Sequence, residues 1–273
     1  MSDRGVPVIT FLSDYGPWDE FVGVCHAVIA RRAPRARIID LGHGIARQDV
    51  RAGAVALRAA LPYAPVGVHL AVVDPGVGGD RRAVALRVGA DGRTMVGPDN
   101  GLLMLAAERL GGVVEAVDIG DSPECLRPIS ATFHGRDVFA PVAAALAEGA
   151  ALELLGEPIA TDELASLSLP RARRDGDALI AHVLSSDVYG NLSLDATGEL
   201  AASVGLRVGA VLAVELGATA ATARFGRTFG DVPAGELLAY IDARDTLALA
   251  INGGSAAEEL GIGPDAELVL RTR

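Results

Sequence analysis

Apolar residues along the chain gather into short runs, each of which stops at a polar loop punctuated by glycine. Residues 7–12 (PVITFL) form such a run and end at Ser13-Asp14-Tyr15-Gly16. The segment from Asp19 to Arg32 then has helical spacing, with Phe21, Val24, Val28 and Ile29 on one side. The order strand, loop, helix repeats. RIIDLG (37–42) reads as a strand, Asp49 to Leu61 as an alanine-rich helix, and GVHLAVVD (67–74) as a strand that ends on an acid. This alternation predicts an α/β layer around a largely buried sheet, whose ligands bind at the ends of strands.

After Asp74 the run PGVGGDRR looks like a nucleotide-binding glycine loop, but the following AVALRV alternates as a strand and opens no helix, so the dinucleotide reading fails. GPDNGLL (97–103) leads into a predicted helix. FHGRDVFAPVAAALAEG (133–149) turns from a polar cluster into a predicted amphipathic helix. Around 166–177 (SLSLPRARRDGD) the pattern changes to short alternating segments. We therefore expect an N-terminal α/β domain over 1–168 and a smaller C-terminal β-barrel domain over 176–273. The predicted strands of the second are ALIAHVLSSD, RVGAVLAVEL, ATARFGR, GELLAYID and ELVLRTR, with one helix around Ser255 to Leu260.

Composition narrows the chemistry. The 273 residues carry a net charge of −11, which speaks against a nucleic-acid surface. The first residues, MSDRGVPVITF, lack the features of a secretory signal and no apolar run reaches membrane-spanning length, so a cytoplasmic protein with no membrane partner is expected. Cys25 and Cys125 stand apart without metal or redox spacing and read as buried free thiols. All 24 basic side chains are arginine, which excludes Schiff-base chemistry and the lysine of a Walker loop.

The N-terminal half concentrates acids in its loops: Asp14, Asp19, Asp74, Asp80, Asp99, and Asp137 beside His134 and Arg136. Such groups could bind a metal, relay protons or hold a ribose diol. Each also has a plain structural reading. Asp14 suits a turn, Asp19 a helix N-cap, Asp74 before Pro-Gly a turn, and His134 a helix start, while Arg81 and Arg82 suit solvated surface positions. The histidines show no close pairing in sequence and the acids form no EF-hand, which weakens a metal-dependent phosphohydrolase. No GxSxG nucleophile motif occurs.

The ordered runs FLSDYGPWDEFVG, IIDLGHGIARQDVRAGA, VVDPGVGGDRRAVA, VGPDNGLL, FHGRDVFAPVAA, SSDVYGN and NGGSAAEELGI together resemble the S-adenosyl-L-methionine hydroxide adenosyltransferases, relatives of the fluorinating and chlorinating adenosyl enzymes. The resemblance spans nearly the whole chain. It implies hydrolysis of S-adenosyl-L-methionine to adenosine and methionine without cofactor or metal, by a homotrimer holding substrate between neighbouring subunits. The catalytic trio it implies is Asp74, Arg81 and His134. The implied substrate contacts are Asp14 at the ribose, Asp19 and Asp187 near the methionine ammonium, Arg244 near its carboxylate, Asn191 at adenine, and Tyr189 and Phe229 packing on the ring. Ala243 departs from the halogenating relatives, which carry serine there. Asp74 replaces their aromatic residue and Gly135 their hydroxyl residue, favouring water over halide because a carboxylate beside the nucleophile site repels a halide and suits water activation. A non-catalytic protein that binds S-adenosyl-L-methionine or adenosine would fit the same residues outside the trio.

Overall fold

The computed structural model describes residues 5–217 and 219–273. The reading of the first residues therefore falls in part outside the described residues. The chain forms two compact units, Met1–Leu167 and Ser168–Arg273.

The first unit holds strands β1 (Val8–Ser13), β2 (Arg37–Gly42), β3 (Val68–Val72), β4 (Ala83–Val88), β5 (Arg93–Pro98), β6 (Val113–Asp118) and β7 (Glu157–Ile159). They lie in the order β2-β1-β3-β5-β4-β6-β7, with β2, β1, β3 and β5 parallel and β4, β6 and β7 antiparallel. Helices α1 (Phe21–Arg32), α2 (Val50–Ala60), α3 (Met104–Arg109) and α4 (Ala140–Ala147) cover both faces. Ile9, Phe11, Ala83 and Ala85 pack with α1 and α4, while Leu12, Val84 and Leu86 pack with α2 and α3. A sheet buried on both faces needs apolar residues at successive positions, which is why its strands read as continuous runs.

Two expectations are corrected. The segment predicted as an amphipathic helix begins as a π-turn at Gly135–Phe139, and α4 is buried at every position from Ala140 to Ala144 because it fills the space between sheet and α1. Asp19 caps nothing: α1 starts at Phe21 with Glu20 at its cap position and no side-chain capping bond.

In the second unit, β8 (Arg173–Asp175), β9 (Ala178–Ser186), β10 (Leu192–Thr197), β11 (Val211–Leu216), β12 (Thr219–Phe225), β13 (Leu237–Ile241), β14 (Thr246–Ile251) and β15 (Glu267–Thr272) run in the order β10-β14-β13-β12-β11-β15-β9-β8. Pairing of β10 with β9 closes a barrel and leaves β8 outside the ring. Closure removes the sheet edges that would otherwise invite association. Alternate residues such as Leu179, Ala181 and Val183, or Leu192, Leu194 and Ala196, fill its interior, the period-2 signature of a strand buried on one face. Two short helices attach, α5 (Gly198–Ser203) and α6 (Ala256–Leu260). The sequence pattern predicted only α6. α5 is a six-residue helix started by the Thr197 side chain accepting from Leu200 N–H, too short to show a hydrophobic period.

Both cysteines are buried free thiols, and burial pushes Cys25 up to about 12, so it stays protonated. Among the described residues no helix is long and apolar enough to cross a membrane.

Candidate active site

Strand β3 runs into Val73 and Asp74, and the chain then turns sharply, with Val77 N–H donating to Asp74 O at 3.3 Å. Asn100 fixes the exit from β3: its Nδ2 donates to Val73 O at 2.9 Å. Gly78 brings the loop against the segment that precedes His134. Its φ is +75°, and a Cβ there would lie 2.1 Å from Ala131 O, so no other residue fits both the turn and the approach.

Arg81 is folded back by this loop onto Asp74. Its Nε donates to Asp74 Oδ1 at 2.8 Å and its Nη2 to Oδ2 at 2.5 Å, a two-point pairing with both side chains largely buried. Nη2 also lies 2.8 Å from His134 Nδ1. A guanidinium only donates, so His134 Nδ1 is the acceptor and the neutral ring carries its proton on Nε2. Burial, followed by the Arg81 charge, holds the His134 pKa below the usual imidazole range. Phe139 backs the cluster, with the Arg81 guanidinium carbon 5.3 Å from its ring centre. The structure thus brings Asp74, Arg81 and His134 into one hydrogen-bonded chain, and the plain surface reading of Arg81 is wrong.

Sequence reasoning passed over Tyr15 as a site residue. Its hydroxyl packs directly on Gly135, where a Cβ would stand 2.0 Å from Oη. Burial first, then the neighbouring Cys25, Asp74 and Asp14, push the phenol well above its ordinary range, against the opposing Arg81 charge, so it remains a donor. The signal was the pair itself: a tyrosine next to the loop acid, and a glycine next to the loop histidine.

The other N-terminal acids divide by what they bind. Asp14 ends β1 and accepts Gln48 N–H at 2.9 Å. Asp19 and Asp80 are exposed. Asp99 is occupied by Arg82 Nε at 2.9 Å and Ala165 N–H at 2.8 Å, and Asp137 by Arg136 and Ser130 N–H. These last two are structural pairings. In the same way, Arg82 is held by Asp99 and is not a freely solvated surface residue.

In the second unit, Asp187 closes the turn after β9. Its Oδ1 accepts the N–H groups of Tyr189 and Asn191, each at 2.9 Å, and its Oδ2 accepts Asn191 Nδ2 at 2.8 Å. Tyr189 is exposed. Phe229 packs edge-on to Tyr240, ring centres 5.5 Å apart. Arg244 follows β13, its backbone N–H donating to Asp242 Oδ1 at 2.8 Å. Tyr240, which sequence reasoning did not single out, feels the charges of Asp242, Asp187 and Arg244, and burial first and then the two acids raise its pKa. Asp187, Phe229 and Arg244 thus share the surroundings of one tyrosine, and Asn191 is tied to Asp187.

Comparison with known proteins identifies the family of both units. Residues 9–156 match the SAM hydroxide adenosyltransferase N-terminal domain and residues 181–269 its C-terminal domain. The chain is 48% identical over 260 residues to a protein of Salinispora tropica named (R)-S-adenosyl-L-methionine hydrolase, covering 94% of this chain and 95% of that one. A protein of the same name from Thermus thermophilus is 45% identical over 264 residues, covering 93% and 95% of the two chains. A crystal structure of an uncharacterized conserved protein from Thermotoga maritima superposes with a TM-score of 0.89 at 35% identity, over 96% of this chain and 99% of that one. With both of its domains matched in order, this chain belongs to the SAM hydroxide adenosyltransferase family.

Proposed function

We propose that this protein hydrolyses S-adenosyl-L-methionine to adenosine and L-methionine by attack of water or hydroxide at C5′ of the ribose. The observation that carries the reading is the continuous chain from Asp74 through Arg81 to His134. Both oxygens of Asp74 are spent on Arg81, so Asp74 orients the guanidinium and is not a free base. Arg81 in turn fixes the His134 tautomer, leaving Nε2–H as a donor. Together with the remaining Arg81 N–H groups and the Tyr15 hydroxyl, this makes a set of donors without a matching base. A set of that kind stabilises hydroxide over water.

Hydroxide forms the new C–O bond as the C5′–S bond breaks, and its electron pair leaves on sulfur to give neutral methionine. A cationic sulfonium and an anionic nucleophile annihilate along this path, so a buried site favours the reaction. Arg81 and His134 supply alignment of the oxygen opposite the bond being broken.

Asp14 is proposed to hold the ribose hydroxyls with two acceptor oxygens. On the second unit, Asn191 is proposed to read adenine, with Tyr189 and Phe229 against the ring. Asp187 and Arg244 are proposed to bind the amino-acid end of the substrate, and Asp19 the methionine ammonium. The assembly proposed is a cytoplasmic homotrimer, to be checked by mass in solution. The metal-dependent phosphohydrolase reading loses ligands, since Asp99 and Asp137 are consumed by arginines and backbone.

Incubation with S-adenosyl-L-methionine after exhaustive chelation, followed by chromatography, tests the proposal. Adenosine and methionine in equal amounts, with the turnover number intact, are expected. Stoichiometric binding with no adenosine would show a binding protein.

A further inference from the structure

Well separated in sequence, two histidines meet at the edge of the first sheet. His26 on α1 places Nε2 2.9 Å from Asp40 Oδ1 on the edge strand β2. His43, just past the end of β2, places its own Nε2 3.0 Å from the same oxygen. The three ligand atoms lie within 4.8 Å of one another.

The state of His43 is the informative part. Its Nε2 is enclosed and, although near Asp40, makes no hydrogen bond among the described residues. Its Nδ1 lies 2.7 Å from Ser13 Oγ, which also accepts Tyr15 N–H at 3.3 Å. With Nδ1–H donating to the serine oxygen, Nε2 presents a lone pair toward a carboxylate and a second imidazole. An imidazole fixed at one nitrogen by a hydrogen-bond partner, with the other nitrogen open, is the arrangement of a metal-ligating histidine.

We propose that His26, Asp40 and His43 bind one divalent ion of the zinc class. Two imidazole nitrogens and one carboxylate oxygen suit zinc, cobalt or nickel, whereas calcium and magnesium demand oxygen ligands. A cation satisfies the otherwise unpartnered Nε2. The site is separate from Asp74, Arg81 and His134, and its role is structural.

What it joins is the segment bearing Asp14. Gly16 N–H donates to His43 O at 2.7 Å, and Gln48 N–H to Asp14 Oδ2 at 2.9 Å, so the loops after β1 and β2 are laced together. An ion held by His26, Asp40 and His43 ties α1, β2 and these loops at one point. Metal binding to the folded state alone then raises the unfolding temperature.

The test uses untagged, chelator-stripped protein titrated with zinc chloride by calorimetry, and with cobalt chloride by visible absorption. One equivalent is expected to bind, with a rise in Tm. His26→Ala and Asp40→Asn should each weaken binding by ~10-fold or more, while His134→Ala keeps the full stoichiometry. His26 is partly exposed on a helix, so its variant is expected to fold, as circular dichroism can verify. Absence of a stoichiometric event, or equal binding in wild type and both variants, would overturn the proposal. Metal binding is read independently of adenosine release, so failure of the hydrolase reading leaves this result unaffected.

Discussion

The polar groups proposed to act on substrate differ sharply between the two units. In Met1–Leu167 the trio is spent on itself, Asp74 on Arg81 and Arg81 on His134, with the Asp74 and Arg81 side chains largely buried, while Asp19 of that unit stands exposed. In Ser168–Arg273, Asp187, Tyr189 and Arg244 stand exposed and are anchored through turn backbone. Burial makes the first set rigid and strongly interacting, because a charge pair weakly screened by water holds one geometry. Exposure leaves the second set free to exchange water for ligand. In the function proposed above the first set acts on the bond being broken and the second on recognition, so substitutions in the two should separate kcat from KM.

The largest effect is expected at Arg81. Arg81→Lys keeps a positive charge but cannot bridge Asp74 and His134 with one planar fork. We expect kcat to fall by ~10³-fold or more with KM changed little. A lysine variant of near wild-type turnover would mean that the fork is not required. His134→Ala should lose ~10²- to 10⁴-fold. Because His134 is neutral and its pKa is depressed, its imidazole should titrate below about 6.5 when followed by NMR. Titration above that point would contradict the tautomer assigned here.

Next comes the contact between Tyr15 and Gly135. Gly135→Ala puts a methyl 2.0 Å from the phenol oxygen and 3.0 Å from its ring carbon, so Tyr15 must move. Activity should drop by ~10²-fold and stability by about 1–3 kcal/mol. Tyr15→Phe alone removes only one donor and should cost ~10-fold in kcat. Combining the two should restore much of the stability lost in Gly135→Ala, since the oxygen that clashes is gone. Strict additivity in thermal unfolding would show that the two residues do not compete for this space.

In the second unit, Asp187→Ala should raise KM by ~10- to 100-fold with a smaller change in kcat, because it releases both the turn and the Asn191 amide. Asp187→Asn can still accept the two backbone N–H groups, so it separates loss of charge from loss of the turn. A fall in kcat matching that of His134→Ala would erase the distinction between the units.

How far the sequence foretold these features follows from the range over which each is encoded. Strands β1 to β4 of the first sheet were legible, the buried ones as uninterrupted apolar runs such as VITFLS and VHLAV, whereas β5, β6 and β7 were not singled out. The trio was legible only through family resemblance. Asp74, Arg81 and His134 each have an ordinary local explanation, and nothing short-range says that the Gly78 loop touches Ala131. α5 was passed over for want of length, whereas β10 and β14, which help close the barrel, were passed over although LSLDAT and TLALAI are as long as β11 and alternate. The His26, Asp40 and His43 cluster was invisible for a related reason: sequence spacing joins only Asp40 and His43, and the packing of α1 on the sheet brings in His26.

His69 is wholly buried in the sheet, its Nδ1 2.9 Å from Thr10 Oγ1 and its Nε2 3.4 Å from the donor Arg93 Nη1. Burial first, and then the Arg93 charge, lower its pKa to about 4. The unfolded chain therefore binds a proton at this position between about pH 6.5 and 4 that the folded chain refuses. The stabilising contribution is complete above pH 6.5 and is lost as pH falls toward 4, amounting to about 3 kcal/mol across the window. Urea unfolding at pH 7 and at pH 4.5 should show this decline, and His69→Gln, which does not titrate, should flatten it. An imidazole signal for His69 that titrates near 6.5 by NMR would show that the ring reaches water, which a wholly buried sheet position forbids.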